Sequence, residues 1–299
     1  MTGLFSLIKR NTKLFFKDKG LFFTSLITPL ILLVLYMTFL ANVYRDSFAS
    51  AIPQGLTVDE SLIDAFVGGQ LVSSLLAVCC VTVAFCSNML MVQDKVCGAR
   101  RDLTITPVKR SALALGYYIS STLSTLIISL VAVGAGFIYL ASVGWYMSLT
   151  DVLLTLLDVF LLVMFGTALS SVINFFLSSQ GQISAVGTIV SAGYGFICGA
   201  YMPISQFGDG LQKALMFLPG TYGTSLIRNH MMRGTFEEMR ARKLPSEMVD
   251  AMMDTVDCNL EFFGEKVSLG TMLAVLCGSV AVLIALYVIL NVFVKKKEK

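Results

Sequence analysis

The chain has 299 residues, 56% hydrophobic and only 14% charged, with a mean hydropathy of +0.79. An ordinary soluble domain carries about 25% charged residues, so this composition leaves no long soluble domain and describes an all-α integral membrane protein, one transmembrane domain over residues 1–299. The formal net charge of +3 is small; nothing in it points to nucleic acid, and its placement says more than its size.

A bilayer core of about 30 Å needs about 20 helical residues at about 1.5 Å each. Residues 1–20 interleave Leu4, Phe5, Ile8, Phe15 and Phe16 with Lys9, Arg10, Lys13 and Lys17, which predicts an amphipathic helix lying on the inner membrane surface. A frayed basic lead-in is the alternative. The basic region and the apolar run behind it are both too long for a signal peptide, so the segment is read as retained. Six apolar runs of spanning length follow, at 21–41, 66–91, 112–141, 152–177, 183–201 and 269–294.

Between the second and third runs lies VQDKVCGARRDLTITPVKRS, residues 92–111, with Asp94, Lys95, Gly98, Arg100, Arg101 and Asp102. Its length and alternating charge exceed what a plain turn requires, and Pro107 biases Thr106 away from helix. The segment therefore reads as a cytoplasmic docking surface. The fourth and fifth runs are joined by LSSQGQ, 177–182, a scrambled likeness of a nucleotide-binding signature. No G-x-x-x-x-G-K-[ST] phosphate loop accompanies it, so it reads as a turn and the chain as a non-enzyme. After the fifth run, Pro203 and Pro219 bracket a moderately apolar stretch broken by Gly208 and Gly210, too short to cross and suited to an external re-entrant helical pair. Residues 233–264 read as a polar external excursion in which Pro245 opens a short helix with Met248, Val249, Met252 and Val256 on one face.

Lys and Arg near span ends stay on the cytoplasmic side. Residues 1–20, residues 92–111 and the KKKEK tail hold fourteen of the 22 basic residues, which places both ends in the cytoplasm of a six-span chain. Trp145 and Tyr146 then fall at an outer aromatic belt.

Candidate chemistry is sparse. His230 is the only histidine and reads as a surface residue. The seven cysteines show no zinc spacing; Cys258, in the polar loop, is read as an unpaired thiol. Asp158 is the one clear acid inside a span. It is either part of an outward cavity or cation site, or hydrogen-bonded to a neighbouring Ser or Thr, and the second reading is preferred for want of a visible partner. Gly195 with Gly199, and Gly134 with Gly136, suggest faces for close helix approach.

These features together resemble the permease subunits of ABC-2 type transporters, bacterial exporters. The resemblance rests on the basic lead with Asp18-Lys19 before a span containing Pro29, on the charged segment with Gly98 and Thr106-Pro107-Val108, and on Gly199, Pro203 and LPGTYGTSLIR at 218–228. It implies a six-helix permease of the bacterial cytoplasmic membrane, working as a dimer with a second copy or paralogue and bound to cytosolic ATPases that hold ATP and Mg, with no cofactor in this chain. It further implies that residues 94–102 form a coupling helix and that Pro203, Pro219, Tyr222 and Arg228 belong to an external cap (residues 202–267). Arg100 and Arg101 precede Asp102 where the family often has an acid, which departs from its docking pattern. The long excursion is similar to the drug or peptide export branch, and the cargo implied is lipophilic or amphipathic. Two other classes fit six spans: a gradient-driven carrier, which the scarcity of membrane carboxylates disfavours, and a sensor or assembly protein without flux.

Overall fold

The computed structural model describes residues 2–43, 45–46, 59–106 and 108–293. Pro107, most of the first external loop and the lysine tail lie outside the described residues. Helix α1 (Thr2–Lys17) buries Leu7, Asn11 and Phe15 at a spacing of four while Lys9, Lys13 and Lys17 stay exposed, the amphipathic arrangement expected from the sequence. A bend of 72° leads into α2 (Lys19–Leu35). Asp18 caps α2 by accepting a hydrogen bond from the Leu21 amide at 3.1 Å. Pro29 removes an amide donor inside α2, and a π-helical turn over Tyr36–Leu40 follows.

Helix α3 (Glu60–Val96) is the axis of the bundle and is buried almost throughout. A helix apolar on every side needs partners on every side. Its run of small residues, among them Gly68, Gly69, Ser73, Ser74, Ala77 and Cys80, lets them close in. Around it stand α5 (Arg110–Val143), α6 (Leu149–Phe176), α7 (Gln180–Ile197) and α2. The six-residue α4 (Ala99–Thr104) joins α3 to α5. After α7 in the chain come α8 (Asp209–Leu215), α9 (Pro219–Ala241), α10 (Ser246–Thr255), a two-residue-per-strand hairpin (β1 Glu261–Phe262, β2 Glu265–Lys266) and α11 (Leu269–Phe293); α9 packs against α3, α6 and α11, and α11 also against α6 and α5. At about 1.5 Å per residue, α3 and α5 are about 55 and 51 Å long, well beyond an apolar core of about 30 Å. Both also carry buried polar groups: Asn88 donates to the Ser170 and Ser171 hydroxyls at 3.0 and 2.8 Å, and Ser87 meets Thr125 at 2.9 Å.

Among the described residues α3, α5, α6 and α11 are long and apolar enough to cross a membrane, and α1 with α2 makes a fifth if the bent pair counts as one. The expected fifth run is realised as α7, whose 18 residues begin Gln-Gly-Gln and end before Gly199; it falls outside that set.

The excursion expected after residue 233 is largely helix, since α9 runs unbroken to Ala241. Its Gly234 lies against the loop between α5 and α6, where an added Cβ would overlap the Tyr146 carbonyl oxygen. Backbone cannot move aside as a side-chain end can, so Gly234→Ala is expected to cost about 1–3 kcal/mol, read as a lowered thermal midpoint of the purified protein in detergent. Gly136 fits the close-approach expectation, since a Cβ there would strike Val72, whereas Gly134 has open space. Gly195 and Gly199 do not: Gly195 makes room for the Tyr201 ring, and Gly199 takes a φ of +73° as α7 unwinds.

Candidate functional site

The charged stretch after α3 divides into groups that face inward and groups that face out. Asp94 is 4% exposed. It accepts two hydrogen bonds from the Arg10 guanidinium, at 2.8 and 3.2 Å, and one from the Tyr117 hydroxyl at 2.6 Å, joining α3 to α1 and α5. Lys95 donates its Nζ to the carbonyls of Asn174, Phe175 and Leu177 at 2.8–3.1 Å and stands 5.5 Å from the Phe175 ring centre. It thereby satisfies the orphan carbonyls at the end of α6, where a cation also complements the helix dipole. Arg100 reaches Asn291 on α11 at 3.0 Å, and Asn291 in turn bonds the Tyr287 carbonyl.

Between these anchors Gly98 turns the chain at φ +83°, with open space where a Cβ would stand; the requirement is conformational. Beyond it Arg101 and Asp102 are exposed, and Ile105, at 82%, is the most exposed large apolar side chain among the described residues. The row expected for docking, Asp94, Lys95, Gly98, Arg100, Arg101 and Asp102, thus divides in two. Asp94, Lys95 and Arg100 bind other helices of the same chain, and Arg101, Asp102 and Ile105 are what the segment presents outward. Sequence spacing alone gives no sign of this division.

A second constellation lies where α7 unwinds. Arg228 on α9 is fully buried. Its guanidinium donates to the Val256 carbonyl at 3.0 Å, to Asp257 Oδ2 at 3.2 Å, to Ser74 Oγ on α3 at 3.0 Å and to the Gly199 carbonyl at 2.6 Å. Asp257 also accepts from the Ile204 and Ser205 amides at 2.8 and 3.4 Å. Burial pushes the Asp257 carboxyl up from its ordinary range, while Arg228 and the two amides hold it down. Tyr222 and Thr221 tie the first turn of α9 back to α8, donating to the Met216 and Leu215 carbonyls at 2.7 and 3.0 Å. Pro203 precedes a single 3-10 turn and Pro219 opens α9; Asp257 is the partner of Arg228 that sequence reading missed. Cys258 is buried beside them, and burial pushes its thiol up to about 12, so it is enclosed within the chain instead of facing a second copy.

Asp158 has a partner. His230 Nδ1 lies 2.5 Å from Asp158 Oδ2, and two turns away on α6 Asp151 meets Arg233 at 2.7 Å, so a histidine–carboxylate hydrogen bond and an ion pair stitch α9 to α6. His230 is therefore an internal contact, 12% exposed, and the expected Ser or Thr partner for Asp158 is replaced by histidine. The profile of the ABC-2 family transporter proteins matches residues 49–293.

The chain belongs to the ABC-2 transporter family. No curated protein matches it. The family match begins after α2, so the elbow formed by α1 and α2 lies outside it. In this ABC-2 chain, a multi-pass membrane protein, a cavity of about 990 Å³ opens between α2, α3 and α7. Apolar groups (Ile27, Leu32, Phe196) and polar ones (Thr24, Gln93, Ser191) share its wall.

Proposed function

We propose that this ABC-2 protein is the six-crossing permease subunit of an exporter in a bacterial cytoplasmic membrane. In this reading both termini and α4 face the cytoplasm, α1 lies along the inner surface, and α8 with the start of α9 is a re-entrant external cap. A separate ATPase carrying ATP and Mg docks on α4, two permeases pair, and a lipophilic or amphipathic cargo leaves through the cavity between α2, α3 and α7. One observation carries the reading. The base of α4 is fastened to α1 and α5 through Asp94, to α6 through Lys95 and to α11 through Arg100, while its tip bears an exposed cation, an exposed carboxylate and an exposed isoleucine. Such a lever passes a push on its tip to four helices at once.

The test is reconstitution with the cognate ATPase. Arg101→Glu with Asp102→Lys, and separately Ile105→Glu, are expected to lower permease-stimulated ATP hydrolysis by about tenfold, the loss of about 1.4 kcal/mol of docking energy. Thermal midpoints should not move, because none of these side chains is buried. Unchanged stimulation in both variants would sink the proposal. The buried Asp158–His230 pair is the feature a gradient-driven carrier would use; flux in vesicles that hold the permease and no ATPase would establish that alternative.

A further inference from the structure

Helix α2 separates two cavities. The second, about 590 Å³, lies between α2, α3 and α5. Its wall includes Phe22, Leu30, Leu75, Val131 and Ala135, and no charged side chain lines it. Along α5 it runs from Ile127 to Tyr139, twelve residues or about 18 Å, close to the roughly 15 Å of one leaflet's apolar half. The trench continues onto exposed apolar side chains of α2 (Phe23) and α5 (Leu123, Leu130).

Chemistry changes at the elbow end. Phe16 lines the slot there, beside Lys17, with Lys13 one turn earlier on α1 and Lys19 just past the bend. All three lysines are exposed, and none makes an ion pair among the described residues. The one nearby carboxylate, Asp18, is turned to the Leu21 amide. An apolar trench one leaflet deep with a surplus of cations at its mouth has the form of a single lipid. We infer that the slot holds an acyl chain of an inner-leaflet anionic phospholipid, with its headgroup against Lys13, Lys17 and Lys19.

The inference rests on the inner-surface placement of α1 proposed above. It gives the lipid a role as well as a seat, because Tyr36 of α2 borders both cavities and donates a hydrogen bond to the Ala200 carbonyl at 2.9 Å. A chain in the slot therefore backs the same wall that faces the proposed cargo path.

Trp145 is the only tryptophan. In a Trp145→Phe background, Phe22→Trp puts a fluorophore on the slot, and Leu30→Trp serves if the first variant does not fold. The full-length protein is reconstituted in phosphatidylcholine vesicles containing acyl-brominated phosphatidylglycerol or, separately, acyl-brominated phosphatidylcholine. The expected result is quenching that saturates with brominated phosphatidylglycerol at about one tenth of the mole fraction needed with brominated phosphatidylcholine or less, since the lysines attract an anionic headgroup and give no net preference to a zwitterionic one. Ala135→Phe, which fills the trench from an exposed position, should abolish the saturable part. Lys13→Gln with Lys17→Gln and Lys19→Gln should abolish the preference. Equal, linear quenching by both lipids would reduce the site to ordinary boundary lipid and overturn the inference. Absence of quenching by either would show protein covering the slot and overturn it too. No ATPase or cargo enters the measurement, so its failure leaves the exporter reading standing, and loss of that reading leaves this result interpretable.

Discussion

Replacing Arg228 with methionine is expected to cost about 3–5 kcal/mol and to release the segment between α9 and α11, seen as a lowered thermal midpoint and as new protease cuts between residues 242 and 268. The size follows from what is left behind. Removing one member of a buried ion pair strands the other, and a stranded carboxylate costs far more than the pair contributes. Asp257 would keep only the Ile204 and Ser205 amides, and the Ser74 hydroxyl and the Gly199 and Val256 carbonyls would lose their shared donor. The double variant Arg228→Met with Asp257→Leu separates the causes. If the orphan charge dominates, the double change should be milder than Arg228→Met alone, because replacing both partners by apolar groups removes the desolvation penalty along with the pair. A double variant as unstable as the sum of its parts would show instead that packing around the guanidinium carries the effect.

At the other end of the molecule the order of effects is the informative result. Arg10→Met should destabilise the docking of α1 more than Asp94→Ala, although both delete the same ion pair. In the first case the carboxylate left over is buried, at 6% side-chain exposure; in the second the guanidinium, at 34%, can turn to water. Losses of about 3 and about 1–2 kcal/mol respectively are expected, and Tyr117→Phe should cost about 1 kcal/mol. Protease accessibility of residues 2–17 reads the docking directly. In the proposed complex these variants should also weaken ATPase stimulation without touching the exposed tip of α4, which makes Arg10 and Asp94 positioning residues. Equal effects of Arg10→Met and Asp94→Ala would mean that the junction is wetter than its burial indicates.

Particular elements show how far the sequence could be read. The apolar runs that became α3, α5, α6 and α11 were legible because a membrane demands about 20 apolar residues in a row, and that demand is local. The amphipathic face of α1 and the helix opened by Pro245 were legible for the same reason, a period of 3.6 written in adjacent residues. By contrast α9 looked like a polar loop from residue 233 onward. Its Arg228, Asn229, His230 and Arg233 are tolerated in a helix interior because Asp257, the Cys258 carbonyl, Asp158 and Asp151 come to meet them from 29, 29, 72 and 82 residues away. Composition records that such groups are polar and is silent about who pairs with them.

The candidate coupling segment divides the same way. Its place, its length and the Gly98 break could all be read from residues 92–111, since charge between two spans and a glycine free to take positive φ are local properties. Which of its charges face inward could not. Asp94, Lys95 and Arg100 differ from Arg101 and Asp102 only in which neighbouring helix lies within reach, and that depends on how α1, α5, α6 and α11 pack around α3.

The sequence by itself determined that this is a helical membrane protein, where its long spans lie, and that a charged segment interrupts them, because hydrophobic length and periodicity act over neighbouring residues. Only the tertiary structure decided that Arg228 pairs with Asp257, that His230 pairs with Asp158, and that three of the charged groups before and within α4 are fastenings instead of surface. Buried charges are stable only beside partners, and those partners are chosen by the packing of helices distant in the chain.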